Sequence, residues 1–366
     1  MRLALVFATV IHGLVHLLGF ATAFNLLTVT ELTQPVSKPA GIVWFLAALI
    51  FLFVAAGMLM KKSWWWMLAV LAVILSQVLI IGHWQDAKFG TFLNLLILCA
   101  AIVGYAGWKF YRSYLIDVHE SLTRAVPKED DLIRDTDLDR LPLLLQKYLR
   151  YVGVVNTPRL KNVRIEFDGE MRGKGKDWFP FQSEQFNTFD KPYRLFFMRA
   201  NMKGFNVPGY HAYKDGSASM IVKLFSLFAV VHNKGDEMDR AETVTVFNDM
   251  CVMAPASLVD PRIGWEEVDS QSVKGIFTCK GITISALLYF NEEGQLINFI
   301  SDDRYDTSGP SPVKLRFSTP MSAYTNIRGF NVPSYGEAIW HYPEGEFVYG
   351  KFNLKDIQYN MKPQAS

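Results

Sequence analysis

Four long apolar stretches fill the first 112 residues, and they limit what this chain can fold into more than any other feature. They cover residues 3–29, 41–60, 64–82 and 91–108. A helix needs about 20 apolar residues to cross the hydrocarbon core of a bilayer, and each stretch is close to or above that length. The connections are short, which favours an up-down bundle of neighbouring helices. We therefore expect residues 1–112 to form a multi-pass, four-helix transmembrane domain.

Positive charge around the four stretches indicates an orientation. Lys and Arg accumulate in short cytoplasmic loops of membrane proteins. One side of the predicted bundle carries Lys38 and Lys88, and the other carries Arg2, Lys61, Lys62, Lys109 and Arg112. This bias predicts that the N-terminus and everything after the fourth stretch lie in the cytoplasm.

The notable polar residues near the middle of the predicted spans are His12, His16 and Gln77. The two histidines are four residues apart and share one helix face. They could form a haem or proton site, or hydrogen bonds between helices. A haem pocket needs axial ligands on facing helices, so the spacing favours interhelical hydrogen bonds and no cofactor.

Charge and cysteine content exclude several classes of function. The chain has 37 Lys and Arg against 35 Asp and Glu, and a net charge of +2 does not predict nucleic acid as a partner. Its three cysteines, Cys99, Cys251 and Cys279, give no disulfide framework and no zinc motif. Phosphate-loop, dinucleotide-loop, nucleophile-elbow and metalloprotease motifs are missing as well. The sequence therefore assigns neither a metal site nor catalytic residues.

A charged connector, residues 113–137, precedes a predicted helix that begins near Leu138. Asp137 could cap this helix and Pro142 fits its first turn. Its apolar residues then fall on one face: Leu141, Leu145, Tyr148 and Val152. We expect this face to pack against a separate soluble domain, residues 138–366.

The soluble domain shows the two-residue period of β-strands. Apolar and polar residues alternate at 163–168, 313–317 and 351–355. Turn residues 291–294 and 343–345 mark two hairpins, and further strands are predicted near 182–186, 194–199, 209–213 and 272–280. The expected fold is a mainly antiparallel curved sheet or open β-barrel with one or two helices.

Two segments interrupt the β pattern. Residues 239–258 have helical spacing, with Val244, Phe247, Cys251 and Ala254 on one face. Residues 219–231 are almost wholly apolar but too short to span a bilayer. The second segment is either a core strand or core helix, or the lid or wall of an apolar cavity.

A small set of residues could contact a ligand. The candidates are Asn248, Asp249, Trp265, Asp303, Arg304 and Trp340. Asp303 and Arg304 could clamp a polar head group, although a surface ion pair is the simpler interpretation. A Cys251 nucleophile with His211 or His232 as base is conceivable, but the sequence does not bring these residues together.

The soluble half resembles an uncharacterised bacterial family known only as a domain of unknown function. The resemblance covers residues 138–361 and rests on four runs: LPLLLQKYLRYVGVVNTPRLKNVRIEFDGEMRG (141–173), EMDRAETVTVFNDMCVMAPASLVDPRIGWEEVD (237–269), ISALLYFNEEGQLINFISDDRY (284–305) and STPMSAYTNIRGFNVPSYGEAIWHYPEGEFVYGKFNLKDIQYN (318–360). It implies no activity, but together with the four apolar stretches it implies a location in a bacterial inner (plasma) membrane. The strand pattern is also similar to that of periplasmic lipoprotein carriers, open β-barrels that hold acyl chains. Those carriers work outside the inner membrane, whereas the charge bias here predicts the cytoplasm.

These features predict a membrane-tethered binding module for an apolar or lipid-like ligand. The alternative is an enzyme acting on a membrane-associated substrate. That alternative would require five polar residues to converge on one pocket: Asn248, Asp249, Cys251, Asp303 and Arg304. A purely structural or assembly role is a third possibility, and nothing specific in the sequence supports it.

Overall fold

A computed structural model describes residues 2–29, 32–128, 130–309 and 311–362. The chain divides into two compact units, the first mainly residues 2–111 and the second mainly residues 112–362. The first unit is helical and the second is built on one sheet.

The first unit consists of α1 (Arg2–Ala23), α2 (Lys38–Leu59), α3 (Trp65–Gly82), the short α4 (Trp84–Ala87) and the start of α5 (Gly90–Arg124). By length and composition, α1, α2, α3 and α5 could each cross a membrane. The first predicted stretch extended to residue 29, whereas α1 ends at Ala23 and Asn25 takes a left-handed conformation at φ 53°. Ser37 caps α2, its hydroxyl accepting from the amide of Ala40.

Small residues bring the helices of this unit close together. Ala47, Ala48 and Ala55 of α2 are buried, as are Ala69 and Ala72 of α3. On α1, a Cβ atom added to Gly19 would lie 2.4 Å from the ring of Trp44. Membrane helices pack in this way because small side chains let neighbouring backbones approach.

The fourth apolar helix does not end at Trp108 as predicted, because α5 continues to Arg124. Within the second unit its Tyr114, Val118 and Leu122 recur every four residues and are buried. The ring of Tyr114 packs 5.4 Å from that of Phe197. Residues 113–124 of the expected connector are therefore helical, and the division of the chain at 112 and 137 stays a prediction.

Two further helices, α6 (Asp135–Leu138) and α7 (Leu143–Val152), precede the sheet. The expected cap was wrong: Asp137 is the third residue of α6, where its carboxylate accepts from the amide of Arg134 at 2.7 Å. Pro142 precedes α7 instead of lying in its first turn. Three residues of the predicted apolar face are buried on α7, namely Leu145, Tyr148 and Val152, whereas the fourth, Leu141, is buried but precedes the helix.

Thirteen antiparallel strands form one curled sheet, a half-barrel. They are β1 (Asn162–Met171), β2 (Phe179–Thr188), β3 (Tyr193–Met202), β4 (Phe205–Lys214), β5 (Ser217–Leu224), β6 (Phe228–Lys234), β7 (Ile263–Glu267), β8 (Ser272–Cys279), β9 (Ile282–Phe290), β10 (Leu296–Asp306), β11 (Val313–Ile327), β12 (Phe330–Tyr342) and β13 (Gly345–Tyr359). Both predicted hairpins are confirmed, as β9–β10 and β12–β13.

The strand order is β6-β5-β4-β3-β2-β1-β13-β12-β11-β10-β9-β8-β7. The sheet is thus two consecutive meanders, β1–β6 and β7–β13, joined where β1 pairs with β13. The helix predicted at 239–258 is α8 (Asp236–Val252), followed by a 3₁₀ turn at Pro255–Ser257. It packs against β5 and β6 of one meander and against β9 and β10 of the other, so the sheet curls around it.

The apolar segment 219–231 is neither a core helix nor a core strand. It forms most of the edge hairpin β5–β6. In β6, Phe228 is 65% exposed and Val230 is 57% exposed. In β5, Met220 and Val222 face the interior cavity described below, so the alternative of a cavity wall holds for this half of the segment.

Candidate ligand-binding cavity

A cavity of about 340 Å³ lies within the second unit, between α8 and the concave face of the sheet. Most of its wall is apolar or aromatic. The wall residues include Phe167, Phe196, Val222, Val252, Phe317, Ala338, Trp340, Phe347, Tyr349 and Phe352. The half-barrel is therefore wider than its own side chains fill.

Methionine is unusually frequent in this wall. Six of the 13 methionines in the chain line the cavity: Met171, Met198, Met220, Met238, Met253 and Met321. Methionine is unbranched and polarisable, so it adapts to apolar partners of different shapes. The wall is suited to a flexible apolar group more than to one rigid outline.

One side of the cavity is polar, and Arg194 of β3 is at its centre. Its Nε donates to Oδ2 of Asp249 at 2.7 Å, and its Nη1 donates to Oε2 of Glu242 at 3.3 Å. Its Nη2 donates to Oε1 of Gln185 at 3.2 Å. The same Asp249 oxygen also accepts from Gln185 and Asn187. Arg194 is thus held by one hydrogen bond from each of its three nitrogens.

Regular secondary structure explains why these groups meet. Glu242, Thr245 and Asp249 lie three and four residues apart on α8, and all three line the cavity. Asn187 of β2 stands directly opposite Arg194 of β3 in the ladder. One helix face and one strand pair therefore supply the whole network.

The network contains a buried acid and a neutral base. Burial alone would raise the pKa of Glu242, but the charges of His211 (when protonated), Arg194 and Arg304 outweigh it and bring the pKa below its ordinary value. Burial lowers the pKa of His211 to about 4, against the opposing effect of Glu242. His211 Nε2 lies 3.2 Å from Oε2 of Glu242, but without the alignment of a hydrogen bond. Near pH 7 His211 is neutral, and Glu242 is balanced by its hydrogen-bonded partner Arg194 and by the more distant charge of Arg304.

A β-bulge determines which side chain of β10 enters the cavity. In the pairing with β11, Ser301 stands opposite Phe317 and Arg304 opposite Leu315, so β10 carries one extra residue. Strict alternation from Ser301 would turn Asp303 inward. The bulge instead gives the inward position to Arg304, and Asp303 pairs with Lys314 at 3.1 Å.

Arg304 lies over aromatic rings in the cavity. Its guanidinium carbon is 4.0 Å from the centre of the Phe317 ring and 5.0 Å from that of Trp340. Its Nη1 donates to the hydroxyl of Tyr349 at 2.9 Å, while its Nε is shielded from solvent and has no hydrogen-bond partner.

Four of the six predicted ligand contacts line the cavity: Asn248, Asp249, Arg304 and Trp340. Asn248 donates to the hydroxyl of Thr319 at 3.0 Å. Trp265 of β7 lies away from the cavity lining and packs 6.0 Å from the ring of Phe247. Asp303 is turned away by the bulge. A binding role for the six residues stays a prediction.

The structure gives no support to a Cys251 nucleophile. Cys251 is fully buried in the hydrophobic core, and burial raises the pKa of its thiol far above the ordinary value. Neither it nor His232 is among the residues that line the cavity, whereas His211 is. Of the five polar residues expected to converge for an enzyme, three line the cavity and two, Cys251 and Asp303, do not.

Sequence reasoning missed Glu242, Arg194 and Tyr349 as site residues. Glu242 and Asp249 are seven residues apart, which puts both on the helix face opposite the apolar one, and this spacing was a usable signal. Arg194 and Tyr349 had none, because their partners are far away in the sequence.

The predicted intramembrane residues form hydrogen bonds between helices of the first unit. His16 Nδ1 donates to the carbonyl of His12 at 2.8 Å, so its Nε2 accepts from the Ser76 hydroxyl at 2.9 Å. His12 Nε2 then donates to Oδ1 of Asn94 at 2.9 Å, and Asn94 donates to Oε1 of Gln77 at 3.0 Å. All these bonds form with both imidazoles neutral. Any further role of these residues stays a prediction.

Within the described ranges, no group of three or more His, Cys, Asp and Glu side chains could hold a metal ion.

Comparison with known proteins supplies a family but no activity. A model of a family of unknown function, DUF6544, matches residues 131–352, which confirms the resemblance seen in the sequence. No curated protein matches the chain. Among solved structures, a LolA superfamily protein from Nitrosomonas europaea is similar at 12% identity, covering 59% of this chain and 91% of its own, with a TM-score of 0.35. A likeness this low does not bear on function.

Proposed function

The chain belongs to DUF6544, a family of unknown function, and we propose from its own cavity that it is a membrane-tethered module that binds an apolar or lipid-like molecule. The observation that carries this proposal is the cavity between α8 and the sheet, whose wall is mostly apolar and aromatic with one polar side. Ligand sites in proteins commonly combine an apolar wall with a few convergent polar groups.

The size of the cavity supports a small ligand or part of a larger one. Its 340 Å³ is near the lower end of the range of about 300–1,000 Å³ that is usual for small-molecule pockets. One medium-length alkyl chain with its polar end is a ligand of this size.

The methionines of the wall support an alkyl chain over a rigid ring system. A wall of flexible side chains can follow a chain that itself has many conformations. It also gives little discrimination between chain lengths, so we expect the cavity to accept a series of homologous ligands.

The four long apolar helices support the tether. We propose that they anchor the cavity at the bacterial plasma membrane, with the sheet unit on the cytoplasmic side as the charge bias indicates. Cys251 and Cys279 are buried and would not report the compartment. A Glu293→Cys variant in a cysteine-free background places a thiol in the exposed β9–β10 turn. Labelling of this thiol by a membrane-impermeant reagent in intact spheroplasts would overturn the cytoplasmic orientation.

A pair of matched substitutions tests the binding function in the full-length chain. Val222→Trp places a large ring in the cavity, whereas Val313→Trp makes the same change at a half-exposed position of β11. Each protein is extracted in a mild detergent, and its bound lipid is measured by native mass spectrometry.

We expect the unaltered protein and Val313→Trp to carry one more lipid equivalent than Val222→Trp. Lipid around the transmembrane helices is common to all three proteins and cancels in the comparison. Equal lipid in all three, with Val222→Trp still folded, would contradict the proposal.

A further inference from the structure

We infer that the ligand carries an oxyanion, a carboxylate or a phosphate, at the end of its apolar chain, and that Arg304 with Tyr349 receives it. This inference rests on the proposed binding function and specifies the chemistry of the ligand's polar end. It follows from comparing the two arginines that line the cavity.

Arg194 is engaged by the protein itself through all three of its nitrogens. Each of its three nitrogens donates to a fixed partner, Asp249, Glu242 or Gln185. Because two carboxylates already neutralise this guanidinium, it has little to offer a ligand. Arg194 therefore acts as a structural cation.

Arg304 is not occupied in this way. In the described part of the chain its one hydrogen bond is to the neutral hydroxyl of Tyr349, and its Nε has no partner. A buried donor without an acceptor, on a group that always carries charge, is costly unless something compensates it. Within those residues no carboxylate lies at ion-pair distance from it, which leaves room for an acceptor from a ligand.

The nearest acidic side chains are committed to other donors. Asp303 pairs with Lys314 and accepts from the amide of Ser285. Asp306 accepts from the hydroxyl of Tyr342 at 2.6 Å and from the amide of Ser308 at 2.9 Å. Glu242 accepts from Arg194. The charge of Arg304 acts on Glu242 and Asp306, but among the described residues it forms no ion pair with either, so its guanidinium edge stays open to another acceptor.

The Nε and Nη2 groups of Arg304 suit a carboxylate or a phosphate. Phe317 and Trp340 lie 4.0 and 5.0 Å from the guanidinium carbon, and within the described residues Nε and Nη2 form no hydrogen bond, so this edge can donate two parallel hydrogen bonds. A guanidinium edge matches two oxygens of one carboxylate or phosphate. A chain ending in an alcohol offers one oxygen and no charge to the same edge.

The test uses the full-length chain in lipid nanodiscs and three photoreactive probes. The probes share one medium-length alkyl chain with a diazirine and end in a carboxylate, a phosphate or an alcohol. After irradiation, mass spectrometry compares label on the peptides carrying Met198, Met220 and Met321 with label on α1–α3. Label on the helices reports membrane partitioning and is the internal reference.

We expect both anionic probes to label the cavity peptides at least ten-fold more than the alcohol, relative to the reference. Hydrogen bonds to a charged group contribute about 1.5–3 kcal/mol, or roughly ten-fold to one-hundred-fold in affinity. Arg304→Gln should remove this preference, and Tyr349→Phe should reduce it. Arg316→Gln, which breaks an exposed ion pair with Asp302 on the outer face, should leave it unchanged.

The possible results separate the two proposals. Equal cavity labelling by the acid and the alcohol would overturn the anion inference and leave apolar binding standing, as would full acid labelling of Arg304→Gln. Absence of cavity labelling by all three probes would overturn the binding function itself. If Arg304→Gln does not fold, the comparison of probes on the unaltered protein still decides. A difference between the two anionic probes distinguishes a free fatty acid from a phosphate-headed lipid.

Discussion

Replacement of Arg194 by methionine should be among the most destabilising single substitutions in the sheet unit. The change keeps an unbranched, flexible side chain but removes the cation that lies between Asp249 and Glu242. Both carboxylates are largely shielded from solvent, with Glu242 only 1% exposed. Without Arg194, they remain buried and close to each other with no hydrogen-bonded positive partner.

The expected loss is about 3–5 kcal/mol, the usual cost of removing one partner of a buried ion pair. In a unit of roughly 250 residues each kcal/mol corresponds to about 2–4 °C in Tm. The midpoint should therefore fall by about 6–20 °C. Arg316→Met is the matched control: its ion pair with Asp302 is more than half exposed on both sides, and such pairs contribute about 0–1 kcal/mol.

Thermal unfolding of the full-length protein in detergent, followed by tryptophan fluorescence, measures the effect. The dependence of the unfolding midpoint on pH gives a second test of the same explanation. In the unaltered protein the pKa of Glu242 lies below its ordinary value, whereas without Arg194 burial should raise it. A raised pKa means that the penalty is present at pH 7 and diminishes as the carboxyl takes up a proton on acidification. The gap between Arg194→Met and the unaltered protein should narrow from pH 7 to pH 5.

Two results would refute this reasoning. One is an Arg194→Met midpoint within about 2 °C of the unaltered protein at pH 7. The other is a triple variant, Arg194→Met with Glu242→Gln and Asp249→Asn, that is no more stable than Arg194→Met alone. Removing both acids together with the arginine should recover part of the loss if unpaired charge causes it.

Three further predictions concern other parts of the chain. In the folded protein His211 has a pKa of about 4, whereas an unfolded histidine takes up a proton near pH 6.5. The free energy of unfolding should therefore fall as the pH drops from 6.5 to 4. His211→Gln should remove about 3 kcal/mol of this pH dependence, measured as Tm against pH. Tyr148→Phe removes the donor to the buried carbonyl of Cys251 at 2.7 Å and should cost about 1–3 kcal/mol in chemical unfolding. Asn94→Leu breaks the hydrogen bond to His12 in the first unit and should lower the free energy of unfolding by about 1–2 kcal/mol. Loss of helical circular dichroism in denaturing detergent measures this effect. An unchanged unfolding curve would mean that this hydrogen bond contributes nothing to stability.

Local patterns in the sequence predicted much of the sheet. The turn at 291–294 and the alternation on either side of it specify the β9–β10 hairpin, because both signals act between residues close in the chain. The same holds for α8, whose apolar face follows from helical spacing. The alternation did not predict that the side chain of Arg304 points inward. The bulge after Ser301 inserts one residue and so exchanges the inward and outward positions.

The polar side of the cavity was predictable only in part. Asn248 and Asp249 were recognised because they are polar residues in a predicted helix. Arg194 is 55 residues from Asp249, and no local rule links a strand residue to a helix residue at that distance. Partners of this kind are fixed by tertiary packing, which a single sequence does not display.

The pairing of β1 with β13 has a consequence for synthesis of the chain. Val163 stands opposite Tyr359, so the ladder that joins the two meanders closes a loop of nearly 200 residues. Each meander can form from neighbouring strands soon after translation, but such a distant pairing is slow and must wait for the final strand. Until then the edge of β1 lies open to pairing with other chains. A variant that lacks the 15 residues of β13 should therefore aggregate from a half-formed sheet, through the exposed edge of β1.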